Sequence, residues 1–224
     1  MNKFKFLSLL AVFIILGCED KQEGYSISEV PSVFTKKVLI EEFTGAWCGY
    51  CPDGAYRLEN LINSNAENII GVSTHSGDAM EVSQTSFLES TYQNIGYPSG
   101  MVDRTSYNGY VTLNRGYWEY VSSNQLTNIA SCGLAIKSNV SGNMATVEVH
   151  AGFSSSHNGD HRLTVYLIED GVSGEGNGYD QINFYDTDSY SPFYNLGNPI
   201  IGYEHNHTLR TVLSQPLGDL IDSS

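Results

Sequence analysis

The 224-residue chain reads as α/β, with an α/β domain followed by an antiparallel β-sandwich-like module. Two observations predict this. Between Lys37 and Thr74 a strand, an amphipathic helix and a second strand follow one another at the length of a parallel βαβ unit. Beyond Ala130 the apolar period changes from helical to alternating.

Lys37 to Phe43 (Lys-Val-Leu-Ile-Glu-Glu-Phe) has the apolar, β-rich look of a buried strand. Pro52 suits the first turn of a helix, and Ala55, Leu58, Leu61 and Ile62 recur at helical spacing, predicting a helix over about 48–63. Asn68 to Thr74 is the second strand. Phe87, Leu88, Thr91, Tyr92 and Ile95 predict a short helix that stops before Gly96-Tyr97-Pro98, because the residue before proline disfavours helical angles. A strand over 99–105 follows, turned by Asn108-Gly109 into a partner at 110–112, and Trp118, Val121 and Leu126 mark a helix over about 113–127.

In the second half, Leu134 and Ile136, then Val147, Val149, Ala151 and Phe153, then Leu163, Val165 and Leu167 recur two apart, with turn residues at Ser141-Gly142-Asn143 and Ser156 to Gly159. A last strand is expected over 208–214. These are few strands for a two-sheet sandwich, so the module is expected to be incomplete or completed by a neighbour.

The first seventeen residues stand apart. Lys3 and Lys5 precede the run Phe6 to Leu16, apolar except for Ser8 and too short to span a bilayer comfortably, which is the layout of a secretory signal. It ends Ile15-Leu16-Gly17-Cys18, which resembles a bacterial lipobox and implies cleavage before Cys18 and acyl chains on its thiol. Residues 18–36, opening with Glu19-Asp20-Lys21-Gln22-Glu23-Gly24, read as a tether. The expected organisation is signal 1–17, tether 18–36, α/β domain 37–130 and β-module 131–224.

Net charge is −14, and setting aside Lys3 and Lys5 leaves nine basic against 25 acidic residues, or −16. No basic stripe remains to neutralise phosphates, so nucleic acid is excluded as a partner. Four cysteines, one of them assigned to lipid, leave no framework of structural disulfides.

The chemistry centres on Trp47-Cys48-Gly49-Tyr50-Cys51. Two cysteines separated by two residues can close a reversible disulfide, bind zinc with two further ligands, or form a structural bridge. A thiol at a helix N-terminus has its thiolate stabilised by unpaired N–H groups and the helix dipole, which makes Cys48 the expected nucleophile and Cys51 the resolving thiol. His205 and His207, two apart, are the nearest candidate metal ligands, and Asp180, Asp186 and Asp188 are a loop of acids that could hold calcium but reads better as solvated. No metal is expected. Cys132 reads as a small buried hydrophobe. Of Glu41 and Glu42, adjacent on one strand, only one is expected inside. Arg104 reads as the partner of a structural ion pair, with Glu41 among its candidates. His75 is expected at the same sheet edge as Cys48, either modulating its thiol or bonded to Asp78.

Glu42-Phe43-Thr44-Gly45-Ala46-Trp47-Cys48-Gly49-Tyr50-Cys51 resembles the strand-to-active-site segment of the thioredoxin superfamily, with an acidic residue six before the first cysteine. The resemblance implies a thioredoxin-like domain, a proton-transfer role for Glu42, and a cis-proline at Pro98 facing the cysteines, with Tyr97 beside Cys48. Trp47, Tyr50 and Tyr97 then become the substrate-contacting residues. The spacer is similar to that of periplasmic disulfide isomerases and departs from Cys-Gly-Pro-Cys.

A closer resemblance is to the thioredoxin-like twenty-eight-kilodalton outer-membrane protein family of Bacteroidetes lipoproteins, carried by Glu42 to Gly45, Cys48, Cys51-Pro52, His75 with Gly77, Gly96 to Gly100 with Arg104, and His205-Asn206-His207 with Leu209-Arg210. It implies a lipid-anchored outer-membrane protein. The expected activity is thiol-disulfide exchange on protein or peptide disulfides, with no cofactor beyond the cysteine pair. The alternative is a binding or adhesion module on the same scaffold. Oligomeric state is left open.

Overall fold

The computed structural model describes residues 29–155 and 160–221. The predicted signal, Cys18 and most of the tether lie outside the described residues. The elements are β1 (Val38–Thr44), α1 (Cys51–Ser64), β2 (Ile69–His75), α2 (Thr85–Thr91), β3 (Ser99–Val102), β4 (Leu113–Asn114), a 3-10 turn (Arg115–Tyr117), α3 (Trp118–Gln125), β5 (Cys132–Ser141), β6 (Met144–Phe153), β7 (Arg162–Leu163), β8 (Tyr166–Glu169), β9 (Thr208–Val212) and β10 (Asp219–Leu220).

The chain divides into two compact units, one holding the β5–β6 hairpin (Leu134–Ala151) and the other Ser32–Gly133 with the chain from Gly152 onward. In the larger unit a six-stranded mixed sheet runs β4-β3-β1-β2-β9-β8. The βαβ expectation holds: β1 and β2 pair in parallel from Val38↔Ile69 to Thr44↔His75, with α1 as the crossover. β3 runs antiparallel on the other side of β1, so β1 is central and buried along nearly its whole length. Side chains alternate along a strand. Val38, Ile40 and Glu42 therefore share one face, where Val38 and Ile40 join Leu58 of α1 and Trp118 and Val121 of α3 in one apolar cluster. Phe43, on the opposite face, clusters with Leu88 of α2, Met101, Leu209 and Val212. Full burial of each such side chain contributes about 1.5–3 kcal/mol.

The Asn108-Gly109 turn forms, with φ +52° and +86° as a two-residue hairpin requires, and Tyr107 and Tyr110 exchange backbone bonds across it. β3 stops earlier than expected, at Val102, because Asp103 and Arg104 both adopt positive φ. Asp103 then accepts the Leu39 N–H at 2.8 Å, and the partner of β3 shifts to Leu113–Asn114.

The antiparallel strands predicted after Ala130 form, and among the described residues they are distributed over three sheets. β5 pairs with β6 and β7 with β10 as two-stranded sheets, while β8 and β9 join the main sheet through the β2 edge. A strand-poor module lowers its exposed edges by extending a sheet that already exists. Cys132 is half-buried at the start of β5 and carries a free thiol whose pKa burial raises, where a buried residue was expected.

Candidate functional site: the Cys48–Cys51 pair

The site sits at the C-terminal ends of β1 and β2. Cys48 and Cys51 form a disulfide with Cα atoms 5.3 Å apart. Helix α1 begins at Cys51, with Pro52 in its first turn, so Cys48 lies in the turn ahead of the helix, its carbonyl accepting the Cys51 N–H at 3.1 Å. Both cysteines are almost fully buried.

Glu42 is fully buried beneath α1. Ser73 Oγ donates to its Oε2 at a long 3.4 Å, and Oε1 has no partner. Burial out of water penalises the carboxylate and pushes the pKa up to about 8, against smaller lowering effects of Ser73 and Arg115. Glu41 is buried as well, contrary to the expectation that only one of the pair is inside. The opposite face of β1 is also covered, and Arg104 neutralises Glu41 with a two-pronged contact, Nε to Oε2 at 2.7 Å and Nη2 to Oε1 at 2.8 Å. Tyr166 OH adds a bond to Glu41 at 3.1 Å, and Arg104 stacks over the Tyr92 ring at 4.9 Å.

The Tyr97-Pro98 bond is cis. Pro98 faces α1 at Gly54, where a Cβ would stand 2.7 Å from the proline ring. Tyr97 packs edge-on against Trp47 with ring centroids 5.0 Å apart, and Trp47 Nε1 donates to the Ser76 carbonyl at 2.6 Å. Trp47 and Tyr50 are each about half exposed.

His75 ends β2 and is buried. Its Nδ1 lies 2.7 Å from Asp78 Oδ2, which also accepts the Ala46 N–H at 2.8 Å, so the pair braces the backbone two residues before Cys48. Burial raises the Asp78 pKa, but the His75 contact and the backbone donors outweigh it and leave the carboxyl below its usual range. A cavity of about 200 Å³ opens behind the pair, lined by Glu42, Cys51, Glu59, His75, His205 and His207 among others. His205 Nε2 meets the Tyr179 carbonyl at 2.8 Å and His207 Nε2 meets Glu59 at 3.0 Å. Among the described residues no three His, Cys, Asp or Glu side chains gather as a metal site.

The loop between β8 and β9, which carries the acids Asp180, Asp186 and Asp188, reaches this site. Gln181 Nε2 donates to the carbonyls of Ala46 at 3.1 Å and Cys48 at 2.9 Å, and Phe184 N–H donates to Gly49 at 2.9 Å. No periodicity marks Gln181, since its partners are backbone atoms far away in sequence. The aspartates are not simply solvated: Asp180 accepts the N–H groups of Gly176 and Gly202, Asp186 that of Gly197, and Asp188 that of Tyr190.

A family model described as outer membrane protein Omp28 matches residues 85–223. The chain belongs to the Omp28 family. The matched span begins beyond the cysteine pair, and the family's description indicates the outer membrane. Among the described residues no helix is long and apolar enough to cross a membrane. Two solved structures share the fold. HBP35 of Porphyromonas gingivalis aligns with a TM-score of 0.61 at 20% identity over 84% of this chain and 60% of its own. A protein of Agrobacterium tumefaciens, AGR_C_4864, aligns with a TM-score of 0.54 at 13% identity over 85% of this chain and 76% of its own. This chain thus spans less than two thirds of HBP35. No curated protein sequence matches it. The Omp28 chain is therefore a thioredoxin-fold outer-membrane protein that carries a Cys-Gly-Tyr-Cys disulfide.

Proposed function

We propose that this Omp28-family protein is an extracytoplasmic thiol-disulfide oxidoreductase, anchored to the outer membrane by lipid on Cys18 and acting on protein or peptide disulfides. The observation that carries the reading is Glu42. A carboxyl held near pKa 8, fully buried and lining the same cavity as Cys51, is matched to the ordinary thiol pKa of about 8.5 and so suits proton exchange with a thiol.

In the reductive direction the Cys48 thiolate attacks one sulfur of a substrate disulfide, forming a mixed disulfide and releasing the other sulfur as a thiolate that takes a proton. Glu42 accepts the proton of Cys51. The Cys51 thiolate then attacks Cys48 Sγ, the mixed disulfide breaks, and the second substrate sulfur leaves as a thiolate that takes the proton held by Glu42. The substrate has gained two electrons and two protons, and the Cys48–Cys51 bond has closed. Tyr97 with Pro98, and the exposed rings of Trp47 and Tyr50, are the surface a substrate would meet.

The test uses two variants. Cys51→Ser, which attacks but cannot resolve, is expected to accumulate thiol-sensitive adducts with proteins of the cell envelope, and Cys48→Ser to accumulate none. If the wild type fails to reduce or isomerise a protein disulfide and Cys51→Ser forms no adduct, the reading falls. A binding or adhesion module on this scaffold then takes its place, favoured by a family match that starts after the cysteines and by loop side chains such as Tyr190, 97% exposed.

A further inference from the structure

We infer that Gln181–Phe184 is a strap that positions the cysteine loop, with Gln181 as its positioning residue, and that the strap biases the pair toward the disulfide. This rests on the oxidoreductase reading for its biological use, though not for its measurement.

The strap grips the loop through its carbonyls. Ala46 O accepts from Ile182 N–H at 2.7 Å and from Gln181 Nε2 at 3.1 Å, Cys48 O from Gln181 Nε2 at 2.9 Å, and Gly49 O from Phe184 N–H at 2.9 Å. Gln181 is 2% exposed, and its amide nitrogen, the donating end of the side chain, is the one turned to the Ala46 and Cys48 carbonyls. The Phe184 ring rests on Gly49 so closely that a Cβ there would stand 2.3 Å from it. Without a side chain at Gly49, nothing holds the ring off the backbone.

The strap is itself fixed. Gln181 and Ile200 exchange backbone bonds at 3.2 and 2.8 Å, and fully buried Asn183 donates to Phe193 O at 2.9 Å and Gly197 O at 3.0 Å. Tyr185, next along the chain, receives Arg115 Nη2 at 3.0 Å, and Arg115 pairs with Asp53 in the first turn of α1. Both sides of the cysteine pair, the turn carrying Cys48 and the helix carrying Cys51, are thereby tied to one hydrogen-bonded loop.

The consequence is thermodynamic. When the S–S bond is reduced, an untethered loop gains conformational freedom and the thiols drift apart, which favours the dithiol. A loop whose carbonyls stay bonded gains less, so the effective concentration of one thiol for the other stays high and the disulfide is favoured. The measured reaction is protein dithiol plus oxidised glutathione giving protein disulfide plus two reduced glutathiones, in which two electrons and two protons pass to glutathione.

The experiment equilibrates wild type, Gln181→Leu and Gln181→Glu in glutathione buffers and follows Cys48 and Cys51 by quenched alkylation. Each variant is expected to lower the equilibrium constant for disulfide formation at least tenfold, a rise of about 30 mV in reduction potential. Thermal unfolding of the oxidised proteins is measured alongside. A variant that loses thermal stability while its equilibrium constant stays within twofold of wild type overturns the inference, because a merely structural residue would behave so. If Gln181→Leu does not fold, Gln181→Glu, of nearly unchanged size, carries the same expectation. Turnover of a protein disulfide by the wild type is scored separately. Absence of turnover with a shifted constant removes the oxidoreductase reading and leaves the strap.

Discussion

Gly54 of α1 lies against Glu42 of β1 so tightly that a Cβ on the glycine would stand 2.3 Å from Glu42 Oε1. The contact brings the helix onto both the buried carboxyl and Pro98. It also explains a glycine inside a helix, where glycine costs about 1 kcal/mol relative to alanine.

Gly54→Ala tests that relationship. Propensity favours alanine by about 1 kcal/mol, while overpacking against a buried carboxyl and a proline ring costs about 1–3 kcal/mol. Net destabilisation by denaturant titration is the expected result. A more stable variant would mean that the helix can lift from β1 freely.

Glu42 sets a pH dependence. Its native pKa, about 8, exceeds the ordinary carboxyl value of 4.5, so the native state holds the proton more strongly than the unfolded chain. Its contribution is fully present below about pH 4.5 and is lost as pH rises through about 8, at up to about 1.4 kcal/mol per pH unit within that window. Glu42→Gln is expected to flatten this decline and to gain on the wild type between pH 5 and 8, measured by urea unfolding across pH with the disulfide intact.

His205 works in the opposite sense. Burial is the main effect that lowers its pKa, to about 4 from 6.5, outweighing the bond to the Tyr179 carbonyl, and the nearby His75 adds to the lowering. Stability that depends on the neutral ring is present above pH 6.5 and is lost as pH falls toward 4. His205→Gln, which can still donate to Tyr179, is expected to lose less stability than the wild type over that interval. Equal acid slopes in the two proteins would contradict it.

Arg104→Ala leaves Glu41 buried without its guanidinium partner. Removing one member of a buried ion pair costs about 3–5 kcal/mol, and chemical denaturation should show a loss of that order. Arg104→Lys, which cannot supply two parallel donors, is expected to fall between.

The βαβ core was legible because its signals are local. The apolar run of β1, the helical spacing of Leu58 and its neighbours, and Pro52 each act within a few residues, and the structure places them within a few residues of expectation. Glu41 and Gln181 were not legible in this way. Whether Glu41 is inside depends on what covers the second face of β1, and that cover includes Arg104, 63 residues away. The fate of β8 and β9 was hidden for the same reason, since an alternating strand reads alike whether it pairs in its own sheet or on the edge of another.

By itself the sequence determined the elements of the α/β core, the candidate dithiol and the acidic residue six before it, because these rest on period, proline chemistry and spacing along the chain. Only the tertiary structure decided that both glutamates are buried, that Gly54 closes over Glu42, and that Gln181 holds the carbonyls around Cys48. Those are consequences of desolvation and of hydrogen bonds to backbone atoms, and neither leaves a pattern in the order of side chains.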